Sequence, residues 1–219
     1  MRKILISMLA TFLVIGLVGV GTLAWFQDTE TSTGNTFTAG TLDLQVKDDG
    51  IGDPDSWGDG VDLTWVMDDM IPGVSIVTNT VDLRNVGSIS ADHVEISFSH
   101  SIDDTPDVES DTDWASDPED LAKWLEITAM IYDAVNLLSA PAPQLTDANG
   151  NGWIDLEDVT MSPNTDVGGP LDNLPSPDDI GGEVTLSMTL FFRSEATNDI
   201  QGDTLTTVVT FTLNQDATQ

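Results

Sequence analysis

The segment "DANGNGWIDLED" has the spacing of a twelve-residue EF-hand or dockerin-type calcium loop. Gly152 takes the sharp turn at position 6, and Ile154 takes the apolar position 8. Alternate residues of such a turn can direct oxygens at one hard cation. The pattern therefore predicts a Ca²⁺ site, with a plain acidic turn as the alternative, and its ligands are Asp147, Asn149, Asn151, the Trp153 carbonyl, Asp155 and Asp158. Position 12 is Asp instead of Glu, which shortens bidentate reach and predicts a lower affinity.

A second acidic segment, "DDGIGDPDSWGDGVD", covers residues 48–62. Its carboxylates follow no recognised cation-loop spacing. Solvated turns are favoured for it, with a weak cation site as the alternative.

The two histidines lie in "DHVEISFSH", where a strand would place His93 and Glu95 on one face and His100 on the other. This arrangement is not a zinc-ligand set, and the chain contains no HExxH, GxSxG or P-loop motif. We expect both histidines at strand-surface positions, and we predict no enzymatic activity.

Acidic residues dominate the charge, with 38 Asp and Glu against 6 Lys and Arg and a net charge of −32. The acids are spread along the chain, which argues against nucleic acid as a partner because phosphate binding needs clustered cations. The chain has no cysteine, so disulfides and thiolate metal sites are excluded.

Alternating apolar residues predict an all-β fold, an antiparallel sandwich with one wet and one buried face per sheet. The alternating sets are Leu42, Leu44 and Val46; Val61, Leu63, Trp65 and Met67; Val77, Val81 and Leu83; Val94, Ile96 and Phe98; Leu125, Ile127, Ala129 and Ile131; Val184, Leu186, Met188, Leu190 and Phe192; and Leu205, Val209, Phe211 and Leu213. "SDPEDLAKWL" predicts one short helix that starts at Ser116 or Asp117. Long acidic loops are expected at 48–60, 139–152 and 162–182.

The N-terminus has the features of an export signal. A basic start is followed by the apolar run Ile4 to Gly21, and "TLA" places small residues before a cut after Ala24. An uncleaved membrane anchor is the alternative, because the run is long enough to span a bilayer. Cleavage would leave 4 cations against 38 acids, a net charge of −34.

Four segments resemble the TasA/camelysin (CalY) family. The first is "GTLAWFQDTETSTGNTFTAGTLDL", with a SipW-type signal peptide and an "N-x-F-x-A-G-T-L-D-L" pattern. The others are "MIPGVSIVTNTVDLRNVGSISADHVEIS", "LEITAMIYD" and the closing "NDIQGDTLTTVVTFTLNQDATQ". The acidic middle, including the calcium-loop pattern, matches no part of the family pattern.

The resemblance implies a jelly-roll-like sandwich that assembles into extracellular or cell-surface fibres. In such fibres the mature N-terminal segment becomes a strand of the neighbouring subunit, a form of β-augmentation. We therefore divide the chain into a signal peptide (1–24), a donor-strand segment (25–40) and a sandwich domain (41–219). The donor strand would carry Trp25, Phe26 and Phe37; a tail folded on its own sheet, or a disordered one, is the alternative.

Three functions compete. The first is a secreted homopolymer of identical subunits, matured by a SipW-type signal peptidase, with no membrane contact after cleavage. The second is a camelysin-like metallo-endopeptidase. The third is a monomeric, calcium-dependent adhesin that binds its ligand through tryptophans, for which the candidates are Trp57, Trp65, Trp114 and Trp153.

Overall fold

The fold was analysed in a computed structural model, which describes residues 2–4, 6, 8, 39–48, 56–60, 65–103, 121–139, 144–177, 182–197 and 200–216. The chain divides into two units, Met1–Ala39 and Gly40–Gln219. In the first unit, residues 2–4, 6 and 8 are helical. Ala24, Trp25, Phe26, Phe37 and Trp114 lie outside the described residues, so the cleavage site and the donor strand stay predictions.

The described part of the second unit contains eight strands and two short 3₁₀ turns. The strands are β1 (Leu44–Asp48), β2 (Ile76–Asn85), β3 (His93–Asp103), β4 (Leu125–Tyr132), β5 (Val135–Asn136), β6 (Leu174–Pro175), β7 (Glu183–Phe192) and β8 (Thr204–Asn214). The 3₁₀ turns are Leu121–Trp124 and Asp158–Thr160.

One sheet has five strands in the order β1-β2-β7-β4-β5, and all of its pairings are antiparallel. The alternation in β7 directs every second residue into the core, where Leu186 is fully buried. Val81 lies opposite Leu186 and Leu83 lies opposite Val184. These cross-strand pairs share one face, so β2 and β7 together form the centre of the hydrophobic core.

Strand β4 follows the predicted alternation only as far as Ile127. A register shift lies between Ile127 and Ala129, which is a β-bulge. Beyond it, Met130 and Tyr132 are fully buried, whereas Ile131 is exposed. The prediction that Ala129 and Ile131 face the core is therefore wrong, because one extra residue reverses the faces of the strand.

The second sheet has three antiparallel strands in the order β6-β3-β8. Ile96 pairs with Phe211 and Phe98 with Val209, on the face that looks toward the five-stranded sheet. The opposite face is rich in serine and threonine. Residues of both sheets belong to one hydrophobic cluster, so the prediction of an all-β antiparallel sandwich is confirmed.

Two local predictions differ from the structure. Leu121–Trp124 form a 3₁₀ turn and Leu125 begins β4, so the described end of "SDPEDLAKWL" is not an α-helix; Ser116, Asp117 and Pro118 lie outside the described residues. Trp65 and Met67 pack against the core without strand pairing, so the described end of the predicted strand 61–67 is irregular.

Candidate functional site

A groove of about 1210 Å³ opens between the two sheets. Core-facing residues of both sheets line it, among them Val81, Met188, Leu190, Val209 and Phe211. The irregular segment 65–70 lines it as well, held in place because the Trp65 indole donates a hydrogen bond to the Met188 carbonyl at 2.8 Å. Within the described ranges, the inner faces of the sandwich are therefore incompletely covered along this groove.

Strand β8 borders the groove and lies at an edge of its sheet. Among the described residues it pairs with β3 alone. Its inward side chains are only half-buried, whereas their partners Val94, Ile96 and Phe98 on β3 are buried. An edge strand presents a row of N–H and C=O groups that another strand can pair with. β8 has eleven residues, about 36 Å of strand at 3.3 Å per residue.

The Pro-Gly turn beside the groove exposes large apolar side chains. Ile71, Val74 and Ile76 are each more than half exposed, and Pro72 lines the groove. The turn itself is firmly held, since the Gly73 N–H donates to the Phe192 carbonyl at 2.9 Å. An exposed apolar group next to an unfilled groove is typical of a protein–protein contact.

The acidic loop 147–158 is closed by hydrogen bonds from its own backbone. The Asp147 carboxylate accepts N–H groups of Gly150, Asn151 and Gly152 at 2.7, 3.1 and 2.8 Å. Gly150 and Gly152 have φ angles of 78° and 103°, which favour glycine. The turn predicted from Gly152 is therefore present, and Asp147 organises it.

Asp155 and Asp158 are fully buried at the end of this loop. Asp158 accepts the N–H groups of Ala148, Asn149 and Asp155 at 2.8 to 3.0 Å, which joins the beginning of the loop to its end. Burial raises the pKa of Asp155 to about 6, and the negative charge of Asp158 adds to that rise. A bound cation would offset the cost of placing two carboxylates together away from water.

The two asparagines of the loop also face Asp155. The Nδ2 atoms of Asn149 and Asn151 lie 3.2 and 2.6 Å from Asp155 Oδ2. Their Oδ1 atoms accept the backbone N–H groups of Asn151 and Trp153 at 3.0 and 3.2 Å, so rotation of either amide toward a cation would exchange that hydrogen bond for a metal ligand. Both Asp158 oxygens accept backbone N–H groups, so Asp158 closes the loop, and its role as a metal ligand stays a prediction. Trp153 lies within this loop, where its backbone N–H donates to Asn151 Oδ1 at 3.2 Å. The role of its carbonyl as a ligand stays a prediction.

Asn164 holds the loop from outside the predicted pattern. Its Oδ1 accepts hydrogen bonds from the N–H and hydroxyl of Thr146, and its Nδ2 donates to the carbonyls of Thr146 and Asp158. The side chain is completely buried, and all four bonds measure 2.8 to 3.0 Å. Sequence reasoning missed Asn164 because one asparagine in "SPNTD" also fits an ordinary turn.

A second cluster of candidate ligands lies on the outer face of the three-stranded sheet. One atom each of His93, Glu95 and Asp172 lies within 4.8 Å of the others. Among the described residues, these three form the group of His, Asp and Glu side chains that could hold a metal ion. His93 is only 3% exposed, so its predicted surface position is wrong: Asp172 and Asn214 cover it. As predicted, His93 and Glu95 share a face, and His100 takes the other.

Carboxylates surround His93. Burial alone would lower the pKa of His93, but hydrogen bonds to Asp92 and Glu95 and the nearby charge of Asp172 outweigh it, so the pKa is raised. Nδ1 lies 3.2 Å from Asp92 Oδ2, and Nε2 lies 3.5 Å from Glu95 Oε1. The surrounding carboxylates therefore stabilise the protonated, positively charged form of the His93 ring.

The described candidate tryptophans make contacts within the chain. Arg84 lies over the Trp57 ring at 4.1 Å. The Trp153 indole donates to the Lys123 carbonyl at 2.9 Å, and Arg193 lies over its ring at 4.3 Å. These contacts, with that of Trp65, stabilise loops and offer little support for the adhesin hypothesis.

A sequence model of the family described as camelysin metallo-endopeptidase matches residues 1–134. The chain belongs to this family. The match includes β1 to β4, with His93 and Glu95, and ends before the acidic loop, β7 and β8. The recognised resemblance is therefore confirmed over the first three of its four segments, and the closing segment lies beyond the match. No curated protein matches the chain.

The camelysin family name implies a metal ion and a peptidase, and membership supports a secreted or cell-surface protein. The described residues fit a metal ion at His93, Glu95 and Asp172, because Asp172 Oδ1 is buried and has no hydrogen-bond partner. The family name is at odds with the prediction of no enzymatic activity, which stays untested. No helix among the described residues is long and apolar enough to cross a membrane.

Proposed function

We propose that the mature chain is a structural subunit of an extracellular or cell-surface filament. Each subunit donates residues 25–40 to the groove of the next one, as in donor-strand complementation. The observation that carries this proposal is the half-covered edge strand β8 beside the open groove, whose lining is apolar along the inner faces of the sheets and polar at Asp68, Asp69 and Asp203.

The donated segment suits this edge in length and in chemistry. The part of the donor before Gly34, residues 25–33, would span about 30 Å as a strand, compared with about 36 Å for β8, and residues 34–40 would connect it to its own sandwich domain. Paired with β8, the segment gains ladder hydrogen bonds and covers the half-buried side chains Val209 and Phe211. Trp25 and Phe26 would enter the groove, where large aromatic side chains gain most from burial.

The geometry of donation generates a polymer. The donor lies at one end of the chain, and the acceptor is formed by β8 and segment 65–70 in the sandwich domain. Contact between two different surfaces repeats from copy to copy and gives an open filament unless the rotation closes a ring. The apolar turn at Ile71, Val74 and Ile76 would contribute to the same subunit contact.

Export precedes assembly in this proposal. A SipW-type signal peptidase cuts after Ala24, which frees Trp25 as the first residue of the donor. The −34 charge of the mature subunit keeps it soluble and repels other copies until salt or cations screen it.

We further propose that the loop 147–158 binds Ca²⁺. Support comes from the spacing of the oxygens, the two buried carboxylates and the amides that converge on Asp155. Because the Ile127 N–H donates to Ile154 and the Leu156 N–H to Leu125, a cation in this loop would stiffen the attachment to β4.

The metallo-endopeptidase function has the family name in its favour. Catalytic zinc sites commonly use two or three histidines or cysteines together with an open coordination position. The cluster at His93 has one histidine, and Asp172 lies beyond the family match. We therefore favour the structural role, and a chelator-sensitive cleavage of peptide substrates would reverse that preference.

Electron microscopy of two purified chains tests the filament function. One begins at Trp25 and the other at Thr38, and both are examined with Ca²⁺. We expect filaments from the first chain and monomers from the second, with circular dichroism showing that both are folded. Monomers from both would overturn the filament proposal, and filaments from both would show that residues 25–37 do not join the subunits.

A further inference from the structure

The hydrogen bonds of His93 determine which ring nitrogen can bind a metal. Nδ1 faces the Asp92 carboxylate, an acceptor, at 3.2 Å. Nε2 faces the Asn214 amide at 3.1 Å. A metal binds the neutral ring, in which Asp92 keeps the proton on Nδ1, so a cation at Nε2 would take the place of a proton that Nε2 shares with Glu95. A carboxylate behind the distal nitrogen is the usual support of a metal-binding histidine.

Two of the atoms around Nε2 are spaced as ligands of one small cation, and an oxygen of Asp172 lies within 4.8 Å of a ring nitrogen of His93 and of a Glu95 oxygen. Nε2 lies 3.5 Å from Glu95 Oε1 and 3.1 Å from the terminal Asn214 amide nitrogen. In a tetrahedral site with bonds of about 2.0–2.1 Å, two ligand atoms lie roughly 3.3 Å apart. Rotation of the Asn214 amide would place its oxygen where the nitrogen stands.

Asp172 supplies an oxygen that has nothing else to bind. Its Oδ2 accepts the Gly168 N–H and the Asn173 amide. Its Oδ1 is buried without a hydrogen-bond partner. A buried carboxylate oxygen without a partner is costly, and a cation between Asp172 and His93 would remove that cost.

We propose that His93 Nε2, the carboxylates of Glu95 and Asp172 and the Asn214 amide oxygen bind one divalent transition-metal ion of the Zn²⁺ class. An imidazole with carboxylate and amide oxygens suits Zn²⁺ better than the all-oxygen set of the loop 147–158, which suits Ca²⁺. The two sites are therefore distinct in residues and in metal.

The position of this site gives it a structural role. It joins the start of β3, the turn 168–173 and the last residue of β8. β8 borders the groove, and a metal at Asn214 would fix the far end of that strand. Asp92 is a positioning residue here, because it touches the histidine and not the metal.

Isothermal titration of Zn²⁺ into the mature chain that begins at Trp25 tests the proposal, with excess Ca²⁺ present to occupy exposed carboxylates. We expect one saturable site per chain in the unaltered protein and in His100→Gln, the matched control on the same strand. The site should be lost in His93→Gln, and Asp92→Asn should weaken it about 10- to 100-fold. Co²⁺ bound in its place gives a visible spectrum that reports the nitrogen ligand.

Asp172→Asn repeats the test without changing the histidine, and Asp166→Asn, which lies just before the turn 168–173, is its control. Thermal melts of each variant show whether it is folded. The proposal is overturned if no saturable Zn²⁺ site exists, or if His93→Gln and Asp172→Asn bind Zn²⁺ as the unaltered chain does. None of these results depends on whether subunits exchange strands.

Discussion

Replacing Val209 by threonine should weaken filament assembly and leave the isolated subunit folded. Val209 is half-buried in the groove wall, so in the free subunit water can still reach a hydroxyl at this position. A donated strand would cover it, and burying a hydroxyl without a partner costs about 1–3 kcal/mol. Since 1.4 kcal/mol is about tenfold in affinity, the critical concentration should rise roughly 5- to 150-fold. Sedimentation of filaments at graded protein concentrations measures it.

Val208 provides the matched control one residue away. It is 55% exposed and lies on the serine- and threonine-rich face opposite Ser99. Val208→Thr should therefore leave the critical concentration within about twofold, because exposed substitutions usually change stability by less than 0.5 kcal/mol. Equal effects of the two substitutions, or no effect of Val209→Thr, would refute the reasoning that the groove is covered on assembly.

Three further predictions follow from the loop and the charge. Asn164→Leu removes four buried hydrogen bonds and should lower the unfolding free energy by about 4 kcal/mol at roughly 1 kcal/mol each. Thr165→Ala should change it little, and urea unfolding compares the two variants. Ca²⁺ at 100 times its Kd should stabilise the chain by about 2.7 kcal/mol, and Asp147→Asn should abolish the gain while Asp133→Asn keeps it, as thermal melts would report. Raising salt from 0.1 to 1 M should accelerate assembly seen by light scattering, because screening shortens the range of repulsion between subunits of net charge −34 from about 10 to 3 Å; slower assembly would contradict this.

Most of the fold could be predicted from the sequence because its strands alternate cleanly. The five alternating apolar residues of β7, from Val184 to Phe192, are all buried, as their period of two requires, and Phe191 on the other face is only half-buried. Strand β4 is the case in which alternation predicts the wrong buried residues. "LEITAMIY" contains apolar residues on both faces, so the sequence did not reveal that a bulge before Ala129 directs Met130 and Tyr132 inward.

The candidate sites were predictable to different degrees. The acidic loop depends on residues close in sequence, so its glycines and carboxylates could be recognised from spacing alone. The group around His93 combines residues from β3, the turn at Asp172 and the end of β8, which are up to 121 positions apart. Only the pairing of β3 with β8 and the turn that covers it bring these side chains together.

The groove could not be predicted from alternation. Leu205, Val209 and Phe211 alternate as regularly as the buried residues of β3, and a pattern cannot tell full from half burial. Their half burial depends on β8 lying at a sheet edge, which is a property of strand order. The donor segment 25–40 was inferred from the family resemblance, whereas the edge strand β8 that would accept it was identified only in the structure.

Disulfide trapping tests strand donation most directly, because the chain has no cysteine of its own. Thr31→Cys or Ser32→Cys on the donor would be combined with a cysteine in turn at Thr206, Val208 or Thr210 on β8. A cysteine at Asn136 on β5, in the other sheet, is the control. The account predicts that oxidised filaments form intermolecular disulfides between the donor and β8 and none with residue 136. Filaments that cross-link at residue 136, or at none of the β8 positions, would contradict it.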